Sequence, residues 1–170
     1  WGDSPYLFEV YREADAVVAL LDQERRVYLE HGVPPEKAVK IGVSPVVADV
    51  SDGQDFRNRH GIAGPLILFV GRQVRSKGYH ELLEAAPVVW ERHPDVSFIF
   101  VGPREETEYH TSHDSDPRIL RLGSVTDAEK SSAIAASDIF CLPSVSEIMP
   151  TAILEAWHFA KPVVAGDIPT

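Results

Sequence analysis

Cysteine is nearly absent: Cys141 is the single one in 170 residues, so no disulfide can close within the chain. Asparagine is as scarce, and the Arg59 and His60 that follow the lone Asn58 rule out a glycosylation sequon there. Both scarcities lean towards a reducing compartment, so the expected location is the cytoplasm or the cytoplasmic face of a membrane. Long apolar runs are missing too. A stretch such as residues 65–70 is far shorter than the roughly 20 residues that span a bilayer. Positive charge is in deficit, with 16 Lys+Arg against 26 Asp+Glu and a net charge of −10. Nucleic-acid backbones are held by clustered Lys and Arg, so this balance speaks against a nucleic-acid surface. A small local anion site remains compatible with it.

What is present is the composition of a globular protein, 44% hydrophobic and 25% charged. The length allows one full domain with part of another. Trp1 is not an initiator, and the chain stops just past an apolar run, so the expectation is a fragment of a larger protein. An upstream signal peptide or anchor, and with it membrane association of the full-length protein, is left open.

Hydrophobic period gives a mixed pattern. Residues 16–21 form an apolar run, 22–31 a polar helix ended by Gly32, and 38–43 a short strand. Residues 45–64, rich in Gly, Ser and charge, read as an interdomain linker between an amino-terminal part, 1–44, and a second domain, 65–170. From Gly64 onward strands at 66–70, 96–101, 118–122, 139–142 and 162–165 alternate with helices at 79–92, 127–136 and 150–159. The near-continuous apolar strands are those of a parallel sheet buried on both faces. Thr126, with Glu129 three residues on, reads as a helix cap, and Pro87 inside the first helix predicts a kink or break. Trp90 and Trp157 read as core aromatics, and Cys141 as a small buried hydrophobe. The fold class is α/β, a Rossmann-like doubly wound parallel sheet.

In such sheets ligands bind beyond the carboxyl ends of the strands, and three of these ends carry unusual residues. The first is Gly71-Arg72-Gln73-Val74-Arg75-Ser76-Lys77-Gly78, two glycines and well-spaced cations before a helix start. It has neither the G-x-G-x-x-G of dinucleotide folds nor the Walker pattern, yet it suits a phosphate or diphosphate. A solvated basic turn is the plainer account. The second is the segment 143–155, with Glu147 in a loop and Glu155 inside the following helix. Two carboxylates so offset would meet two hydroxyl-bearing parts of an elongated ligand. Taken alone, they are ordinary helix-start and surface glutamates. The third is Leu122-Gly123-Ser124-Val125-Thr126-Asp127, a turn able to clamp a planar base or simply to cap a helix. His110, His113, Asp114 and Asp116 mimic a metal cluster, but H-x-x-H lacks zincin spacing, so a polar loop is expected and no metal.

Together the three segments resemble the group 1 glycosyltransferases, a retaining family with the GT-B fold. Glu147-x7-Glu155 followed by Lys161-Pro162-Val163-Val164 matches the family's E-x7-E signature and its sequel. Phe69-Val70-Gly71-Arg72 with Lys77-Gly78 matches its phosphate loop, and Gly123-x-Val125-x-Asp127 its base-side turn. The resemblance implies a hexosyltransferase taking a UDP- or GDP-sugar donor, without a metal or other cofactor, and an acceptor the sequence does not identify. Residues 65–170 would be the truncated donor-binding domain and 1–44 the end of the acceptor-side domain. Arg72 and Lys77, with Gly71 at the strand end, would hold the diphosphate. Glu147 would hold the transferred sugar, Glu155 the ribose and Val125 the base. Ile148, Met149 and Pro150 depart from the glycines many members carry after the first Glu, and Pro150 has no N–H to give. The isolated chain is expected to be inactive. A noncatalytic nucleotide-sugar-binding module and a GT-B nucleotide-sugar epimerase are the alternative readings.

Overall fold

A computed structural model describes residues 4–106 and 108–168, and the chain divides into two compact units between Ser44 and Pro45. In the first unit, helix α1 (Pro5–Glu13) precedes strand β1 (Val17–Ala19), helix α2 (Asp22–Glu30) and strand β2 (Ala38–Lys40). The two strands pair in parallel, Val17 opposite Ala38, over a small core of Phe8, Val17, Ala19, Tyr28, Val33 and Ala38. Glu24 anchors the start of α2 by accepting from the N–H groups of Leu20 and Leu21 at 2.6 and 3.0 Å.

The second unit opens with helix α3 (Gly53–His60), followed by strand β3 (Leu66–Val70), a 3-10 turn (Arg75–Lys77) and helix α4 (Tyr79–Trp90). Strands β4 (Ser97–Val101) and β5 (Ile119–Gly123), helix α5 (Asp127–Ala136), strand β6 (Ile139–Leu142), helix α6 (Thr151–His158) and strand β7 (Val163–Ala165) complete it. Every pairing is parallel, in the order β5-β4-β3-β6-β7. The chain therefore winds outward from β3 to β5, then returns to the other side of β3. Leu66, Leu68, Phe69, Phe98, Ile99, Phe100 and Phe140 are fully buried, as central strands covered on both faces require.

Four expectations change here. Residues 45–64 are no loose linker, because α3 packs in the second unit with Phe56 fully buried. Asp52 caps its start by accepting from Asp55 N at 2.8 Å, and Gly61 ends it in the left-handed conformation. Arg57 ties it to the sheet, donating to the carbonyls of Ala136 and Gly64 and pairing with Asp138. The texture that suggests a linker is that of a short helix resting on one aromatic side chain and an arginine.

Trp157 is 61% exposed, because α6 turns Glu155 and Ala156 inward and leaves its neighbour on the outer face. Pro150 caps α6 rather than beginning it.

Pro87 does not end α4, which runs from Tyr79 to Trp90. It removes the N–H that would bond the Leu83 carbonyl, four residues back. His113 Nε2 lies 2.7 Å from that oxygen, and since a carbonyl only accepts, Nε2 carries the proton. The ring also stands edge-on to Trp90, 6.1 Å between centroids. The other members of the metal-like cluster are also committed. Asp114 accepts from Thr111 Oγ1 at 2.6 Å and from Arg121 at 3.1 Å. Burial alone would raise its pKa, but the Thr111 bonds and the Arg121 charge outweigh that and hold it at about 2. Asp116 is bonded by Arg118, which holds it at about 2 as well. His113→Ala should strand the Leu83 carbonyl and destabilise the second unit by about 1–3 kcal/mol, read as a lower urea midpoint. An unchanged midpoint would mean that another donor replaces the imidazole.

Candidate functional site

The strand order reverses between β3 and β6, so the crevice of the sheet lies at their carboxyl ends. The loop after β3 carries Gly71, Arg72 and Lys77; the loop after β6 carries Glu147. The two loops meet. Lys77 Nζ donates to Glu147 Oε1 at 2.6 Å, and the Val145 N–H donates to the Ser76 carbonyl at 3.1 Å. Gly78, with φ +72°, approaches so closely that a Cβ there would sit 2.1 Å from the Pro143 carbonyl oxygen. Only glycine fits both that φ and that contact.

The loop after β3 is shaped by backbone contacts at neighbouring strand ends. Gly102, φ +124°, lies against Gly71, where an added Cβ would stand 2.1 Å from the Gly71 carbonyl oxygen. Gln73 is fully buried and donates through Nε2 to the Gly102 carbonyl at 2.8 Å, while its own N–H donates to Pro103 O. Arg72 and Lys77 are thus displayed from a fixed backbone just ahead of the α4 N-terminus, whose dipole favours an anion.

The expected site residues fall into distinct groups. Lys77 and Glu147 are partners, with side chains only 23% and 12% exposed, and Ser144 Oγ donates to the same Glu147 oxygen at 2.7 Å. Arg72 does not join them; its guanidinium is mostly in solvent and contacts Glu105 at 3.2 Å. Glu155 is buried on α6 and accepts from Lys130 Nζ of α5 at 2.9 Å. Val125 is half-buried in the turn after β5 and packs on the core. Thr126 caps α5 by accepting from the Glu129 N–H at 3.2 Å.

Sequence reasoning passes over four residues of this region. Ser144 carries one faint signal, its place three residues before Glu147. Lys130 lies one helical turn after Asp127, which it also contacts at 3.2 Å, but nothing in the sequence links it to Glu155. Glu105 and Glu106 come from the loop after β4; Glu106 accepts from the Arg75 N–H at 3.1 Å. Carboxylates thus meet the loop's donors on several sides.

The cations of the loop after β3 are suited to an anion, and the carboxylates of Glu147 and Glu155 to hydrogen-bond donors. The profile of the family described as "Glycosyl transferases group 1" matches residues 64–170. The chain belongs to the group 1 glycosyltransferases. A putative teichuronic acid biosynthesis glycosyltransferase of Bacillus subtilis is 33% identical over 117 residues, 68% of this chain and 28% of that protein. A phosphatidyl-myo-inositol mannosyltransferase of Mycolicibacterium smegmatis is 36% identical over 154 residues, 89% of this chain and 39% of that protein. The chain therefore spans well under half of these relatives.

Among solved structures, Anabaena Alr3699/HepE in complex with UDP-glucose superposes with a TM-score of 0.75 at 24% identity, over 97% of this chain and 50% of that one. The pneumococcal O-GlcNAc transferase GtfA in complex with UDP and GlcNAc gives 0.75 at 19% identity, over 97% and 32%. These likenesses establish the GT-B glycosyltransferase fold for a group 1 member.

Proposed function

We propose that the second unit is the donor-binding part of a retaining hexosyltransferase that takes a UDP- or GDP-sugar. The observation that carries this reading is the Lys77–Glu147 pair, which joins a cationic strand-to-helix loop to a loop carboxylate at the switch point of the sheet. Arg72, Lys77 and the α4 N-terminus would hold the diphosphate, with the Gly71 backbone turning the chain towards it. Cleavage of the sugar–phosphate bond leaves negative charge on the departing phosphate. Preorganised cations and a helix dipole stabilise that charge without a metal. Glu147 would accept hydrogen bonds from hydroxyls of the transferred sugar, exchanging its bond from Lys77 for bonds from the donor. Glu155 would accept from the ribose, and Val125 would bound the base.

The length of the relatives supports a further reading: the acceptor is bound by parts outside these 170 residues, so this chain by itself does not turn over. On this account Arg72→Ala should lose about 1.5–3 kcal/mol of nucleoside diphosphate binding, the value of a charge-assisted hydrogen bond. Calorimetric titration of UDP and GDP into the full-length protein and variant reads the loss directly. Because Arg72 is exposed, the difference should shrink as salt rises. Equal affinities would remove Arg72 from the phosphate site. The anomeric configuration of the product, read by NMR, tests retention.

A further inference from the structure

Lys130 is a cation that the reading above does not use. Its ammonium, on a side chain 17% exposed, reaches from α5 to Glu155 Oε1 on α6 at 2.9 Å, and also contacts Asp127 at 3.2 Å. Glu155 is 3% exposed, and a carboxylate so deeply placed needs a cation or several donors facing it. Asp127 closes the turn that carries Val125, so Lys130 connects that turn to the buried carboxylate.

We propose that Lys130 is a positioning residue for donor recognition, fixing the Glu155 carboxylate in the orientation that accepts from the ribose hydroxyls. The proposal rests on the reading of Glu155 as the ribose acceptor. The ammonium takes one lone-pair direction of Oε1 and fixes the side-chain rotamer, leaving the other acceptor directions of the carboxylate for ligand hydroxyls. Asp127 in turn holds the ammonium on the side of the base-side turn. Ribose and base recognition would then share one charged connection between α5 and α6.

The test compares Lys130→Met, Lys130→Arg, Glu155→Gln and the Met/Gln double variant in the full-length protein, titrated with UDP, GDP and inorganic pyrophosphate. Lys130→Met should weaken the nucleoside diphosphates by about tenfold or more while leaving pyrophosphate, which has no ribose, unchanged. Lys130→Arg, which keeps the charge, should restore most of the affinity. With donor and acceptor, Lys130→Met should raise KM more than it lowers kcat. The double variant should bind little worse than Glu155→Gln, because the lysine acts through the glutamate. Lys130→Gln gives the same comparison should the Met variant fail to fold. The proposal is overturned by equal weakening of pyrophosphate, or by full nucleotide affinity in Lys130→Met beside a weakened Glu155→Gln. In the second case the ribose role of Glu155 stands without the lysine. If Glu155→Gln itself binds normally, the ribose reading falls and the proposal with it.

Discussion

Replacing Gly78 with alanine should lower the stability of the second unit by about 2–4 kcal/mol and weaken nucleoside diphosphate binding more than about tenfold. Two effects add. A left-handed φ of +72° strains any residue with a Cβ, and this Cβ would overlap the Pro143 carbonyl oxygen at 2.1 Å. The carbonyl belongs to the segment that presents Ser144 and Glu147, so relief of the clash must shift that segment against the loop bearing Lys77. Gly61 supplies the control. Its φ is +65°, but nothing lies within 4 Å of an added Cβ, so Gly61→Ala should incur only the backbone strain, about 1–2 kcal/mol, and leave binding intact. Urea denaturation and nucleotide titration of both variants test the difference. If Gly78→Ala behaves like Gly61→Ala, the two loops are not held in register by this contact.

Strongly apolar elements are legible in the sequence because burial on both faces leaves few polar positions to confuse the pattern. The run Leu66–Val70 is such a case, and the two glycines and three cations that follow it draw attention to the loop after β3. Helix α3 was harder because Phe56 is its sole fully buried side chain, so its hydrophobic period is almost silent. Its caps were nevertheless written in the sequence, Asp52 before it and Gly61 after it. Pro87 misleads for a different reason. The missing hydrogen bond is supplied by His113, whose part depends on tertiary packing rather than on local sequence. The bond from Lys130 to Glu155 joins residues 25 apart on different helices, and no spacing rule predicts such a meeting.

The charge balance is equally a matter of placement. A net charge of −10 would repel a diphosphate at long range, yet the loop after β3 concentrates Arg72, Arg75 and Lys77 within a few residues of a helix start. Its partners Glu105 and Glu147 are carboxylates at 3.2 and 2.6 Å. A bound diphosphate would exchange anion for anion at these cations, and the net gain is smaller than the bare charges suggest.

Glu147 and Glu155 should separate cleanly by kinetics. Glu147→Gln is expected to lower kcat by about two orders of magnitude while leaving UDP or GDP affinity within about threefold of wild type. Glutamine keeps the size of the side chain but removes the charge, so its bonds to Lys77 and Ser144 weaken and its hold on sugar hydroxyls loosens. Free nucleoside diphosphate carries no transferred sugar, so its affinity is nearly blind to that loss. Glu155→Gln should instead weaken nucleoside diphosphate and intact donor alike, because both carry the ribose, and should appear chiefly as a raised KM. Steady-state kinetics of the full-length protein with a working acceptor, together with nucleotide titrations of both variants, make the comparison. If Glu147→Gln loses nucleotide affinity and Glu155→Gln retains it, the roles are exchanged. If neither variant differs from wild type, neither carboxylate touches the donor, and the Lys77–Glu147 and Lys130–Glu155 pairs only join loops and helices.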